Sequence, residues 1–262
     1  MKFRSMLCVG VLAASAAMAA DVEGLASATL GWLKVESSAK CTIIAVPWLN
    51  VGGGDVEVAK LVKTDSLSAG DKLYYYDGAN YWGWILTESE GVKSWTPQAV
   101  TYKENGQDKT AAGATATEAK LPRSKALMIE RGTTTAPIYL YGQYSSDTIA
   151  AAATGGGSSS DAVYTLMANP RATSVDLNTV ASGTPNAADQ IVIPNNDGTY
   201  GTPYTYVNGK WGRTEQSGSQ TITIGGKTYQ VPGSETRVET AVVPAGRGFW
   251  YISKGGSQTF TF

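Results

Sequence analysis

The chain has 262 residues, 21 Lys and Arg against 22 Asp and Glu, and no histidine, so its formal net charge is −1 at neutral pH. That balance lacks the basic footprint that releases counterions from nucleic acid, and no nucleic-acid partner is expected. Without histidine there is no Ser-His-Asp or Cys-His catalysis, no His-based zinc site and no imidazole general base.

From the N-terminus, Lys2 and Arg4 precede an apolar run from Met6 to Ala14 and an A-x-A site at Ala17-Met18-Ala19. This is the pattern of a secretory signal peptide over residues 1–19, whose apolar part is too short to span a membrane. Its removal would take Cys8 away, leave Cys41 as the lone thiol and shift the balance to 19 basic against 22 acidic groups. The product is expected to be exported, free of lipid and without a transmembrane segment after cleavage, in the periplasm, at the cell surface or outside the cell. With no internal disulfide, stability has to come from one large hydrophobic core or two of domain size.

"ATLGWLKVES" (28–37) is a leading strand candidate, and "CTIIAVPW", opening at Cys41, is an apolar strand that buries its thiol. "NVGGGDVEV" (50–58) is a flexible loop, because three glycines followed by Asp do not make a dinucleotide fingerprint. Strands follow at 71–76 and 81–86, joined by a turn at Asp77-Gly78, where Gly tolerates positive φ. A polar, low-complexity insert (103–119) separates Trp95 from "LPRSKALMIERG" (121–132), which carries a strand at 126–130, and a further strand covers 137–141. "TIAAAATGGGSSSDAV" (148–163) has the composition of a flexible connector.

The order then repeats. "TIIAVP" (42–47) returns as "TLMANP" (165–170), "AGDKLYYY" (69–76) as "AADQIVIP" (187–194), and "DGANY" (77–81) as "DGTY" (197–200). "GVKSW", ending at Trp95, is answered by "NGKW", ending at Trp211. "LPRSKALMIERG" returns as "VPAGRGFWYISKGG" (243–256), and "PIYLY" (137–141) lines up with the terminal "QTFTF". A second insert (213–240) contains "TITIGGKTYQV", a hairpin turning at Gly225-Gly226; its "GGKT" lacks the glycine five places earlier that a phosphate-binding loop needs. Short, turn-bounded strands in a duplicated unit of roughly 90 to 100 residues predict an all-β fold. Its plan is two tandem, sequence-related β-sandwich-like or barrel-like units, 20–147 and 164–262, on either side of the 148–163 linker. Within each echoed phrase, one residue of Leu127-Met128 and one of Phe249-Trp250 should enter the core while the other meets an outer face or the partner half. Gly246 and Gly248 mark a bend there that bulkier residues would block.

The order "P-W", "GD-L-Y-Y-D-G", "NG-W" and "PAGRGFWY" resembles duplicated, secreted all-β bacterial proteins of unknown function that occur as many paralogues. The resemblance covers most of the chain beyond residue 19. It implies a secreted all-β protein and carries over no catalytic residue.

Paired carboxylates are the chemistry that survives without histidine, as in glycoside hydrolases. Asp71, Asp77, Asp189 and Asp197 are the candidates, yet each lies beside a turn, and the repeat accounts for their recurrence structurally. "NNDG" (195–198) lacks the alternating acidic loop of a calcium site and reads as a turn. No catalytic residue, metal or cofactor is expected. An outer-membrane barrel ending at Phe262 is disfavoured by Gly256 and Gln258, which break the apolar alternation. The expected function is that of a non-catalytic secreted or cell-surface structural or adhesive protein, with extracellular polysaccharide, other surface proteins or copies of itself as partners. The alternative is a carbohydrate-binding module using exposed aromatics. Leu73 and Tyr75 form a core stripe, so Tyr74 and Tyr76 face away from it. If Trp82 and Trp84 share that outward face, the four rings make one stacking platform; otherwise they pack.

Overall fold

The computed structural model describes residues 30–37, 41–49, 54–58, 62–104, 107–115, 120–121, 123, 125–132, 136–158, 160–195, 199–231 and 233–262. The signal peptide expected at 1–19, residues 50–53 of the loop expected at 50–58 and the Asp197-Gly198 turn lie outside them. The fold is all-β.

In chain order the strands are β1 (Leu30–Val35), β2 (Cys41–Ala45), β3 (Val56–Glu57), β4 (Lys72–Tyr76), β5 (Tyr81–Ser89), β6 (Val92–Pro97), β7 (Val100–Glu104), β8 (Gln107–Gly113), β9 (Lys120–Leu121), β10 (Ala126–Glu130) and β11 (Ile138–Gln143). Then come β12 (Ala150–Ala153), β13 (Val163–Ala168), β14 (Val175–Asp176), β15 (Ala181–Thr184), β16 (Gln190–Val192), β17 (Tyr204–Val207), β18 (Lys210–Gln216), β19 (Gln220–Ile224), β20 (Lys227–Val231), β21 (Glu235–Val238), β22 (Val242–Val243), β23 (Gly248–Ser253) and β24 (Ser257–Thr261). Their pairing follows one plan twice. One large sheet runs β2-β10-β4-β5, with β6 on β5, and the other runs β13-β23-β16-β17-β18, with β21 added beyond β18. Short pairs accompany each: β1-β11 and β3-β9 in the first half, β12-β24-β15 and β14-β22 in the second.

Tight turns set the registers. Glu90-Gly91, Asn208-Gly209 and Gly225-Gly226 each place two successive residues at positive φ, the two-residue geometry whose twist suits a hairpin. The expected hairpin at Gly225-Gly226 forms between β19 and β20.

Each large sheet covers its own core. Leu73, Trp84, Leu127 and Ile129 pack with Leu140 of β11 and Val35 of β1 in the first half, and Ile191, Trp211, Phe249, Tyr251 and Phe260 pack in the second. A third cluster joins the opposite faces of the two sheets: Ile43, Ala45, Tyr74, Ala126 and Met128 meet Leu166 and Ala168, with Trp250 at its border. The echoed phrases now resolve. Leu127 and Phe249 enter their own cores, whereas Met128 and Trp250 turn into the layer between the sheets. Burial on both faces explains why β2 and β10 are almost continuously apolar instead of alternating. At about 1.5–3 kcal/mol per buried large aliphatic side chain, Ile43, Met128 and Leu166 contribute substantially to holding the halves together.

Hydrogen bonds reinforce the seam: the Ala45 backbone N–H donates to the Gly246 carbonyl at 2.8 Å, and the Arg247 side chain donates through Nη1 to the Glu36 carbonyl at 2.6 Å. Gly246 turns at φ +69°, with Leu33 and Val35 where a side chain would stand.

Four local expectations need correction. The 148–163 stretch is not a free connector throughout, because Ala150–Ala153 is a strand on β24 whose small Ala151 and Ala153 bury under the second core. Two of its glycines, Gly155 and Gly157, are packed as well: a Cβ on Gly157 would run into the Ser253 carbonyl oxygen. The leading strand of the first half, for which the repeated phrases offer no counterpart, therefore has one, since β12 on β24 answers β1 on β11. "PIYLY" and "QTFTF" match one place out of step, because Ile138 and Leu140 are the buried residues of one strand and Phe260 and Phe262 those at the other. The polar first insert folds as the β7–β8 hairpin and adds to the large sheet through a parallel pairing of β8 with β5. Gly83 permits that closure, since a Cβ there would meet Val100 at 2.4 Å.

The seam makes a direct prediction. A Cβ at Gly248 would lie 2.5 Å from Ile43 Cγ2 and 2.7 Å from Ala126 Cβ. Gly248→Ala should lower global stability by about 1–3 kcal/mol, seen as a lower denaturant midpoint at unchanged slope. An unshifted midpoint would show that the two faces are not in contact.

Candidate functional site

The β4–β5 register decides where the proposed aromatic platform goes. Leu73 lies opposite Trp84, Tyr75 opposite Trp82, Tyr74 opposite Gly83 and Tyr76 opposite Tyr81. Residues opposite one another share a face, so Trp82 and Trp84 join the Leu73–Tyr75 core stripe while Tyr74 and Tyr76 face the other way. The four rings do not form one strip. Trp84 is 1% exposed in the first core, and Tyr74 is 3% exposed in the layer between the sheets. A four-residue loop sets this register. The Asp77 carboxylate holds it by accepting from the N–H groups of Ala79 at 2.8 Å and Asn80 at 2.7 Å and from Trp82 Nε1 at 2.8 Å. Slight burial raises the Asp77 pKa, but those donors outweigh it and hold the carboxyl below its ordinary value.

Tyr74 is sealed under the β7–β8 hairpin, with Tyr102 at 5.7 Å between ring centroids. Its hydroxyl donates to Glu130 Oε2 at 2.5 Å, and Lys72 Nζ binds the other Glu130 oxygen at 3.2 Å. Burial, and then that carboxylate, push the Tyr74 pKa far above the ordinary phenol value.

Tyr76 belongs to something larger. Its ring lies 4.6 Å from Tyr81 and 6.0 Å from Trp250, and Trp250 meets Tyr164 edge-on at 6.4 Å. These four rings, with Tyr200 and Gln190, line an open cleft of about 480 Å³ where the two large sheets part. Tyr164 is 51% and Tyr200 56% exposed. The Tyr76 hydroxyl donates to the Gly78 carbonyl at 2.8 Å, which fixes the ring at the mouth. Partial desolvation chiefly raises the pKa of Tyr200, although much of the residue stays exposed, with a hydrogen bond from Trp250 opposing, so it too is neutral near pH 7. The remaining described wall is Val192, Gly201, Pro203 and Ile252, so among the described residues no lining side chain carries a charge.

The cleft exists because the halves differ. Met128 faces Tyr74 across its strand pair, and the β7–β8 hairpin covers both; the corresponding Trp250 faces the smaller Val192. In the second half the β19–β20 hairpin pairs only with itself among the described residues and leaves that side open. Sequence reasoning placed binding on the first half and missed Trp250 and Tyr164. The signal was available in "GFWYIS": if Phe249 and Tyr251 point inward, Trp250 must point out.

Of the candidate carboxylates, Asp197 lies outside the described residues, and Asp71, Asp77 and Asp189 are anchors. Asp71 Oδ2 accepts from Ser68 N–H at 3.0 Å and its Oδ1 from Gly132 N–H at 3.4 Å. Asp189 accepts in the same manner from Asn186 N–H at 2.8 Å and Lys254 N–H at 2.6 Å. Arg131 approaches Asp71 at 3.5 Å, and the Tyr251 hydroxyl donates to Asp189 at 2.7 Å. Both carboxylates are buried, each in its own half. Compared with protein-family models, with curated proteins and with solved structures, the chain matches none.

Two outcomes follow from the packing. Tyr74→Ala should cost about 3–5 kcal/mol of unfolding free energy, as for other large aromatics removed from a core; an unchanged unfolding curve would place the ring in solvent. Cys41 is partly buried, and desolvation, aided by Glu130 and opposed by Arg247, pushes its pKa up to about 12. A raised acid pKa stabilises the fold below the ordinary thiol value and loses that contribution as pH rises towards 12. At pH 8 only about one native thiol in ten thousand is ionised. Labelling with a disulfide reagent should be slow until guanidinium is added; equal rates in both conditions would contradict the burial.

Proposed function

We propose that the protein is a non-catalytic, exported β-protein built by tandem duplication, and that its inter-sheet cleft binds a neutral polysaccharide. The single observation that carries this reading is the cleft itself: five aromatic rings and Gln190, with no charged side chain among the described residues of the wall. A pyranose offers apolar C–H faces that stack on such rings and equatorial hydroxyls that bond neutral donors and acceptors. The volume, about 480 Å³, falls in the ordinary range for ligand pockets. Rings left as exposed as Tyr164 and Tyr200 mark binding surfaces more often than core.

Duplication is supported by the repeated phrases and by the shared strand order of the two large sheets. Export is supported by the N-terminal pattern at 1–19 and by the resemblance to secreted, paralogous bacterial proteins. An adhesive role at the cell surface joins these readings, since binding glycan outside the cell needs neither a cofactor nor a catalytic group.

An array of neutral oligosaccharides probed with the protein lacking residues 1–19 should show retention. Tyr164→Ala and Tyr200→Ala should each weaken it about tenfold while leaving the thermal midpoint unchanged. Retention unaffected by either substitution would remove the cleft from consideration. Recovery of the native protein in the cytoplasm, detected by antibody after cell fractionation, would remove the exported role.

A further inference from the structure

A second set of aromatic rings lies away from the cleft. Along β1, Leu33 and Val35 pack into the first core, so Leu30, Trp32 and Lys34 face outward; along β11, Ile138 and Leu140 pack inward and Tyr139 and Tyr141 face outward. The antiparallel register sets Trp32 opposite Tyr141 and Lys34 opposite Tyr139. Trp32 is 68% and Tyr141 42% exposed, and the Trp32 and Tyr139 ring centroids are 5.9 Å apart. These three rings wall an open hollow of about 370 Å³ together with Lys63, Asp65 and Ser66.

The strip is held rigidly from beneath. Gly31 and Gly142 lie opposite each other, and a Cβ on either would stand within 2.7 Å of Trp48. The bare backbone of both strands therefore seats on that buried indole, which fixes the strip's height and tilt. Around it stand two ion pairs, Lys63–Asp65 at 2.8 Å and Lys34–Glu36 at 2.7 Å. Each supplies N–H donors and carboxylate acceptors beside the ring faces without adding net charge.

We propose that Trp32, Tyr139 and Tyr141 form a second glycan-binding surface, taking neutral pyranose residues that stack on the rings and hydrogen-bond through their hydroxyls to Lys63 and Asp65. It rests on the same ligand class as the cleft but on different residues. The first core separates the two, because the strip caps its outer side and the cleft opens beyond the large sheet on its inner side. One molecule can thus hold two glycan chains.

Isothermal titration of the protein lacking residues 1–19 with cellohexaose, chitohexaose, xylohexaose and mannohexaose tests this. At least one of them should fill two sites per chain. Trp32→Ala should weaken one site about tenfold or more, Tyr164→Ala the other, and the double variant both. Binding lost in Tyr164→Ala but untouched in Trp32→Ala overturns the strip and leaves the cleft. The converse overturns the cleft and leaves the strip, and no binding by any of the four overturns both. Trp32→Ala should also keep the wild-type thermal midpoint and sedimentation coefficient. A lower midpoint would show the strip covered by the protein's own chain, and a smaller particle would show it covered by a second copy; either result overturns the proposal.

Discussion

The layer between the two large sheets is the constraint on which the rest of the molecule depends. Two sheets each covering a core could have stood apart with polar outer faces, as antiparallel sheets commonly do. Here Ile43, Met128, Leu166 and their small neighbours turn those outer faces apolar, and neither half can then expose them to water. The small residues matter as much as the large ones. Ala45, Ala126, Ala168 and Gly248 let backbones approach closely enough for the Ala45 N–H to reach the Gly246 carbonyl. A bulky residue at any of these positions would prise open the seam along its length, because close-packed interiors cannot absorb an extra methyl locally.

A seam between unequal halves cannot be filled evenly, and that inequality produces the cleft. In the first half Tyr74 fills the layer and passes its buried hydroxyl to Glu130. In the second half Val192 occupies the matching place beside Trp250, and its volume is too small to complete the packing. The missing volume is gathered at one end, where Tyr76 and Tyr81 look across at Trp250 and Tyr164. The inserts sharpen the difference. β7–β8 lies on its sheet and buries Val100 and Ala111 in the layer, whereas β19–β20 stands off with Ile224 and Tyr229 exposed.

How much of this the sequence could carry depends on the range of the interaction. The positions of most strands along the chain and the turn at Gly225-Gly226 were legible, because glycine-containing turns and short apolar runs are local. That one member of each echoed pair is buried was legible for the same reason, but which member was not. The platform was not, since placing Trp82 and Trp84 on a face needs the β4–β5 register. The loop hydrogen-bonded to Asp77 sets that register, and composition does not. The connector at 148–163 misled because glycine and alanine favour flexible chain and tight backbone packing alike, and only the proximity of Gly157 to Ser253 separates the two. The cleft was the least legible feature. Tyr76 and Trp250 are far apart in sequence and meet only because two outer faces are apolar.

The buried aspartates show how the fold uses its polar chemistry. Asp71 and Asp189 do the same work in the two halves, each tying a turn to the residue just beyond β10 or β23. Their third partners differ. Asp71 meets the Arg131 guanidinium, which itself donates to Ser37 and to the carbonyls of Ala136 and Ser66, so a buried charge is matched and spread over several acceptors. Asp189 instead takes the Tyr251 hydroxyl, and a phenol brings its own apolar ring into the second core. Exchanging an ion pair for a tyrosine at one anchor leaves β23 richer in aromatics than β10. Phe249, Trp250 and Tyr251 stand where Leu127, Met128 and Ile129 stand in the first half. Two of those rings serve the core. The third, forced outward by strand alternation, is the indole around which the open end of the seam is built.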